Sequence, residues 1–430
     1  MFDAFYNGFP IVYSDTSTYI ISGFGLETPF DRPITYGILL RLFSLNGLSL
    51  WCVIFFQALL LSALILILLK HVLQTSKYLL VGLAIIFCLA LLTGVSWTVS
   101  QLMSDIFTAI ALLSAAIILL GKYAKVKKVF LYFIFFVSVA THMSHVLLFN
   151  TIIIFTFVFS RYILPINQFP NRNKKLLSLL LLTNVSIILM GSALAKSKHV
   201  FFMGAMVEHG IAKKYLDTHC KTNPYKLCAY KDSLPDKGYV FVWDEAKSPF
   251  YKIGGWKNTK GEFDSIISGS LSEPKFIALH IKASFKATVE QLFRNDIGDG
   301  NGSFLKGTIL YERIDKYFKH ELESYSNSLQ SRQELGFTIG WSKLFDTIII
   351  ASLMVIAILL FLKRELFDYR LKFITFFFTT GVLLNAWDCG TFANAIGRLG
   401  CKMIWLLPFI ALILLSKLII DKNVGNKESF

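Results

Sequence analysis

Long apolar runs alternate with short polar connectors over most of this 430-residue chain. A run of about 20 apolar residues crosses the ~30 Å of hydrocarbon in a bilayer, where the backbone must satisfy its own hydrogen bonds and so forms a helix. The pattern predicts an all-α polytopic membrane protein. We expect nine spans, at residues 50–69, 78–97, 104–120, 129–142, 146–159, 176–194, 344–362, 371–384 and 404–420.

Composition and charge agree with a membrane protein and exclude a nucleic-acid-binding one. The chain is 54% hydrophobic, more than a soluble domain of this length can bury. Its formal charge is +15, but residues 199–338 are nearly balanced, with 19 basic and 17 acidic residues. The basic excess therefore flanks the apolar runs, as the positive-inside rule requires, and does not form a basic patch on a folded domain.

The polar connectors give the orientation. Every second connector is rich in Lys and Arg, from residues 70–77 to the tail that begins at Lys417, and such connectors stay in the cytoplasm. The other connectors, and residues 1–48, then lie outside it. Because no span precedes residues 1–48, we expect either that this arm is translocated unaided or that the natural chain starts upstream with one more helix. We favour the second.

Four regions follow from this reading. Residues 1–48 form an extracytoplasmic arm with an amphipathic helix, and 49–198 hold the first six spans. Residues 199–338 form a periplasmic soluble domain, and 339–430 hold the last three spans and a cytoplasmic tail. Within the domain we expect a short strand at 239–243 and helices at 273–293 and 309–328, which makes it a small α+β domain.

The six cysteines divide by position. Cys220 and Cys228 lie in the exported domain, where an oxidising compartment favours a disulfide. A second bond between Cys389 and Cys401, both near the outer surface, is an open alternative.

Several polar residues meet on the outer face if this topology holds. Charged groups near membrane depth are costly and usually face a cavity or a partner. These residues are Asp15, Tyr19, Asp31 and Arg32 in the arm, Asp105 at the start of the third span, His142 and His145 at the end of the fourth, and Trp387 and Arg398 between the last two.

Each of these residues also has a structural interpretation. Asp105 could serve only the dipole of the helix that it opens. Asp31 and Arg32 could be a local ion pair. His142 and His145 could bind a metal, but two histidines without a third ligand are a weak indication. The run 296–301 resembles a calcium loop loosely and is better read as a turn.

The combination of residues suggests transfer of a group from a lipid phosphate. A carboxylate can deprotonate an acceptor hydroxyl, and cations, or a possible divalent metal, can hold the departing phosphate. Asp15 is the expected base, Asp105 a second acid or metal ligand, and Arg398 and Arg32 the phosphate ligands.

Three motifs carry a resemblance to a known family. They are Tyr-Ser-Asp15-Thr-x-x-Tyr19 with Arg32-Pro-Ile-x-Tyr36, Asp105 at the start of a span, and the closing Arg398-Leu-x-x-Lys-Met-Ile-Trp405-Leu-Leu-Pro408. Together they resemble the GT-C superfamily of polytopic, inverting glycosyltransferases. The chain departs from that pattern because its first external segment has no paired acidic residues.

The resemblance implies a glycosyltransferase of a bacterial inner membrane with its active face in the periplasm. Its donor would be a lipid-linked sugar and its acceptor an envelope glycan or lipid. Two rival functions stay open: an envelope acyltransferase that uses His142 or His145 as its base, and a transporter or flippase for a lipid-linked glycan. A transporter should show repeats and polar residues at the midplane of several spans, and few are found.

Overall fold

A computed structural model describes residues 1–165, 167–169, 171–190, 193–336 and 338–428. The chain is 75% helical. No strand occurs in the described residues, and the one β-type pairing recorded there is a parallel bridge between Ile11 and Gln101. The all-α class is therefore confirmed.

Three short helices build the N-terminal arm: α1 (Phe2–Asn7), α2 (Ser14–Gly25) and α3 (Thr35–Phe43). Helices α2 and α3 pack so closely that a Cβ atom on Gly23 would lie 2.1 Å from the carbonyl oxygen of Gly37. The loop between α2 and α3, which holds Asp31 and Arg32, is thereby turned back toward the start of α2.

The first bundle of helices follows. It consists of α4 (Leu50–Leu73), α5 (Tyr78–Leu92), α6 (Val95–Ser100), α7 (Ile106–Leu120), α8 (Lys125–Ala140), α9 (Ser144–Ile163) and α10 (Arg172–Val185). Helix α7 is central, because every residue from Ile106 to Leu119 is buried. A helix that is apolar on all sides and enclosed by others is typical of a bundle core.

Helices of the 199–338 region connect the two halves of the bundle. They are α11 (Ala193–Glu208), α12 (Ile211–His219), α13 (Gly238–Trp243), α14 (Pro249–Lys252), α15 (Gly255–Asn258), α16 (Lys260–Ser272), α17 (Pro274–Leu292), α18 (Ile309–Tyr317) and α19 (Leu322–Ser326). The chain ends with α20 (Thr338–Leu362), α21 (Tyr369–Phe392), α22 (Gly397–Ile404) and α23 (Leu406–Glu428).

The predicted strand at 239–243 is wrong, so the described part of 199–338 gives no support to the predicted α+β domain. These residues form helix α13, which places Phe241 and Val242 in an apolar cluster with Phe250 and Phe263. Burial against neighbouring helices decides the local conformation here, because β-branched and aromatic residues carry only a weak strand preference. The predicted helix at 273–293 is confirmed as α17. The one at 309–328 is confirmed only in part, as α18 and α19 with a 3₁₀ turn between them.

Most predicted spans fall on a helix. The second crosses the break between α5 and α6, the ninth crosses the junction of α22 and α23, and residues 191–192 of the sixth lie outside the described part. Four helical stretches in the described residues are long and apolar enough to cross a membrane: Leu50–Leu73, Arg172–Met190, Gly340–Leu362 and Gly397–Lys422. Three more are apolar but shorter, Tyr78–Leu92, Ile106–Leu120 and Ser144–Ser160. The chain thus has the helices of a membrane protein, and the count of nine spans stays a prediction.

The cysteine pairing is confirmed at one place and wrong at the other. Cys220 and Cys228 form a disulfide with their Cα atoms 5.8 Å apart. Cys389 and Cys401 are buried free thiols. Each faces its own partner, since the Cys389 thiol contacts Asn385 and the Cys401 thiol contacts the carbonyl of Asn295.

Candidate functional site

Two arginines from opposite ends of the chain meet on Asp15. The Nη2 atom of Arg32 lies 3.0 Å from Asp15 Oδ1, and the Nη1 atom of Arg398 lies 3.2 Å from Asp15 Oδ2. Arg398 also turns its Nε atom toward Asp105 Oδ2, at 3.5 Å. We call Asp15, Arg32, Asp105 and Arg398 the charged cluster.

Aromatic rings frame both guanidinium groups. The Arg32 guanidinium lies 5.2 Å from the centre of the Tyr19 ring, and that of Arg398 lies 5.0 Å from the centre of the Tyr13 ring. Such stacking holds the planar guanidinium in one orientation. The Tyr19 hydroxyl hydrogen-bonds to Ser104 at 3.0 Å, which ties the arm to the residue before Asp105.

A backbone pairing explains why Asp15 and Asp105 are neighbours. Ile11 donates to the Ser100 carbonyl and accepts from the Leu102 amide, both at 2.9 Å. Thr16 continues the contact by donating to the Leu102 carbonyl at 3.2 Å. The arm therefore runs alongside residues 100–104, and the two carboxylates are placed at the same end.

Gln330 fixes the other side of the arm. Its side chain accepts from the Val12 amide at 3.1 Å and donates to the Val12 carbonyl at 2.6 Å. The backbone amide of Gln330 donates to Asn7 Oδ1. A buried side chain from the 199–338 region thus holds the arm in register with the charged cluster.

Replacing Gln330 by Ala should loosen the arm. Two backbone groups of Val12 would lose their buried partners, and each unsatisfied group costs roughly 1–3 kcal/mol. We expect faster hydrogen exchange at residues 8–13 and a lower melting temperature. Gln168→Ala, at an exposed glutamine outside the site, is the matched control. Unchanged exchange in Gln330→Ala would show that the bridge to residues 100–102 holds the arm alone.

Helix α22 brings Arg398 to the cluster. The Gly397 amide donates to Asp299 Oδ2 at 2.6 Å, and a Cβ atom on Gly400 would lie 2.1 Å from the Arg294 carbonyl oxygen. Residues 294–299 thus pack directly against the start of α22. The run 296–301 contains a turn, as predicted, and its contact with Gly397 helps to position Arg398.

The electrostatics of the cluster favour the ionised form of Asp15. Burial opposes ionisation of Asp15, but the charges of Arg32 and Arg398 outweigh it and hold the pKa of that carboxyl well below its usual range. Burial raises the pKa of Tyr19 to about 12. Tyr19 is therefore a neutral hydrogen-bonding group and not a base.

The two carboxylates differ in access. Asp15 keeps 25% of its side chain exposed, whereas Asp105 keeps 3%. Asp105 precedes α7, where its charge also suits the helix dipole. Asp15 is therefore the more accessible of the two carboxylates.

The structure brings most of the predicted residues together. Arg32 donates to its neighbour Asp31 at 2.8 Å, which is the local ion pair that the sequence suggested. His142 bonds Ser144 through Nδ1 at 2.9 Å. His145 is buried, with Nε2 bonded to Thr108 at 2.7 Å and Nδ1 to the Ser138 carbonyl at 3.0 Å.

Trp387 belongs elsewhere. Its ring packs edge-on against Phe392, and it lines an apolar cavity. The prediction that it contacts the substrate beside the arginines finds no support in this arrangement.

Sequence reasoning missed one buried polar group next to the cluster. Lys402, one turn after Arg398, is 1% exposed and interacts electrostatically with Asp388, which is 2% exposed. Neither the Lys402 amine nor the Asp388 carboxylate makes a hydrogen bond of normal geometry in the described residues. The available signal was the i, i+4 spacing of Arg398 and Lys402 on an otherwise apolar segment.

A divalent cation does not fit the cluster as it stands. No group of three His, Cys, Asp or Glu side chains among the described residues is arranged to hold a metal. Asp15 and Asp105 are both turned toward Arg398, so a cation would have to displace that guanidinium.

Comparison with known proteins gives no further indication of the function. No protein-family model, curated protein or solved structure matches this chain. The function is therefore inferred from the charged cluster and its surroundings.

Proposed function

We propose that this chain is a membrane glycosyltransferase that moves a sugar from a polyprenyl-phosphate donor to a cell-envelope acceptor. It would work on the periplasmic face of a bacterial inner membrane. One observation carries the proposal: Arg32 and Arg398, whose side chains are only 13% and 17% exposed, flank the partly open carboxylate of Asp15.

The arginines suit a phosphate ligand. A planar guanidinium donates two parallel hydrogen bonds to phosphate oxygens, and its hold is stronger where water is largely excluded. Asp15 forms ion pairs with both guanidinium groups. A donor phosphate would therefore bind by displacing the Asp15 carboxylate from the two guanidinium groups.

This exchange would prepare the base. Once the phosphate is bound to Arg32 and Arg398, its negative charge offsets the two guanidinium charges that lower the pKa of Asp15. The carboxylate can then accept a proton. The acceptor oxygen then forms a bond to the anomeric carbon and gives its proton to Asp15. The bond between that carbon and the phosphate oxygen breaks, and its electron pair leaves with the phosphate.

The roles of the other residues follow from their contacts. Asp105 would orient Arg398, and Asp31 would orient Arg32, without touching substrate. Tyr13 and Tyr19 would hold the guanidiniums. His142 would be a further polar contact for donor or acceptor.

The acyltransferase alternative has less support. A catalytic histidine needs a free nitrogen for the substrate, and both nitrogens of His145 are engaged by the protein. His142 Nδ1 bonds Ser144 at 2.9 Å, which leaves Nε2 as the one histidine nitrogen of the pair open to substrate.

Binding of the lipid phosphate can be tested without knowing the sugar. We expect a polyprenyl phosphate to raise the melting temperature of the detergent-solubilised protein, since a ligand at 100 times its Kd stabilises by about 2.7 kcal/mol. The matching polyprenol, which lacks the phosphate, should have a much smaller effect. Equal effects of the two lipids would contradict phosphate recognition by the arginines.

The proposed face of the membrane is tested separately. Reporter fusions after Lys127, Lys174 and Lys372 should report cytoplasm, because basic connectors remain there. A fusion at Lys257, in the 199–338 region, should report periplasm. A cytoplasmic signal at Lys257 would overturn the assignment of the site to the outer face.

A further inference from the structure

A cavity of about 640 Å³ lies between α11, α17 and α21. Its wall is largely apolar and includes Phe202, Met206, Ile281, Phe285, Trp387 and Phe392. Three polar groups in the wall are already engaged. Ser284 and Thr391 bond each other at 2.8 Å, and His280 bonds Ser270 at 3.0 Å. The cavity therefore offers contact to hydrocarbon more than to a polar ligand.

The cavity opens onto an exposed apolar stripe. Residues 277, 281, 285 and 289 of α17 recur every four positions, so they share one side of the helix. Ile281 and Phe285 expose 66% and 73% of their surface, and Phe293, just after the helix, exposes 80%. Ile281 and Phe285 belong to both the stripe and the cavity wall, and a stripe of this kind marks a protein or membrane contact.

Two unpaired lysines border the stripe. Lys282 and Lys286 are exposed, and neither forms an ion pair within the described part of the chain. By contrast, Lys213 and Lys260 in the same region are paired with aspartates. Lysines beside an apolar surface reach with their amines to anionic lipid head groups.

Helix α17 is fixed to α21, which contains the predicted eighth span. A Cβ atom on Gly390 would lie 2.6 Å from the Ala287 carbonyl oxygen, and the Gln291 side chain donates to the Ile396 carbonyl at 3.0 Å. The cavity is thus held at the outer end of that span, where the outer leaflet of a bilayer would meet it.

We propose that this cavity binds one hydrocarbon chain of an anionic bilayer lipid, whose phosphate lies between Lys282 and Lys286. The site is separate from the charged cluster and does not depend on glycosyl transfer. It also makes α17 a membrane-contacting helix of a region that the sequence presents as soluble.

Photolabelling of the full chain in nanodiscs tests this site. The probe is a phosphatidylglycerol with a diazirine on its acyl chain, and labelled peptides are mapped by mass spectrometry. We expect adducts at Ile281, Phe285 and Trp387, and competition by unlabelled phosphatidylglycerol. Ala283→Trp, which fills the cavity, should reduce these adducts to background, whereas Ala278→Trp, exposed on the same helix outside the wall, should not.

The requirement for an anionic head group is tested with a double variant and a second probe. Replacing Lys282 and Lys286 together by Gln should lower labelling by the phosphatidylglycerol probe and leave labelling by a phosphatidylcholine probe unchanged. Labelling that survives Ala283→Trp, or that resists competition in the wild type, would overturn the chain site. Equal labelling by both probes would overturn the anionic head group. Displacement by a polyprenyl phosphate but not by phosphatidylglycerol would assign the cavity to the donor lipid instead.

Discussion

Asp15→Asn should abolish sugar transfer while the protein remains folded in the membrane. The amide keeps the shape of the side chain and loses its basicity, and general-base catalysis contributes roughly 10²- to 10⁴-fold in rate. The neutral amide also ceases to compete with the donor phosphate for Arg32 and Arg398. We therefore expect kcat to fall by that factor while the KM for the donor stays constant or decreases. Initial rates at varied donor concentration measure both.

Asp31→Asn is the matched control. Asp31 also bonds Arg32, but it contacts no second arginine in the described residues. Arg32 keeps its bond to Asp15 when Asp31 is changed, so we expect a loss below about tenfold, which corresponds to about 1.4 kcal/mol of barrier. Near-normal transfer by Asp15→Asn would contradict its role as the base. Equal loss in the two variants would assign a structural role to the whole arm.

Arg398→Met should remove transfer and also lower stability. Without the guanidinium, the 3%-exposed Asp105 carboxylate loses the cation that compensates it, and breaking such a buried pair costs roughly 3–5 kcal/mol. We expect a clear drop in melting temperature and loss of the stabilisation by polyprenyl phosphate. Arg332→Met, which breaks an exposed pair with Glu334, should change stability by roughly 0–1 kcal/mol at most.

A double variant separates the two effects of Arg398. Adding Asp105→Asn to Arg398→Met removes the uncompensated charge, so much of the stability should return. Transfer should stay absent, because the donor phosphate has lost one of its two cations. Recovery of transfer together with stability would show that Arg398 serves only to compensate Asp105, and the proposed phosphate site would be wrong.

The helical fold was predictable because its cause is local. An apolar run of helix length leaves the backbone few alternatives to its own hydrogen bonds, so most predicted spans fall on a helix. The prediction of a strand at 239–243 was wrong because five residues are too few to show a clear hydrophobic periodicity. The packing of Phe241 against Phe250 and Phe263 decided that conformation, and such contacts cannot be read from a short window.

The members of the charged cluster were predictable, but their pairing was not. Charges beside apolar runs attract notice because they are costly in a membrane. That Asp15 meets Arg398 depends on a bridge between Ile11 and Gln101 and on Gln330, which lies 318 residues from Val12. Such distant contacts leave no pattern in a single sequence. Lys402 was missed although its spacing from Arg398 was visible.

Transfer by purified wild-type protein tests the central claim most directly. The protein is reconstituted in proteoliposomes and given labelled polyprenyl-phosphate hexoses, with an envelope-lipid extract as the acceptor and nucleotide sugars as the alternative donors. We predict label in the acceptor fraction from at least one polyprenyl-phosphate sugar, none from the nucleotide sugars, and none with Asp15→Asn. Equal transfer from nucleotide sugars, or no transfer from any polyprenyl-phosphate sugar by protein that binds a polyprenyl phosphate, would contradict it.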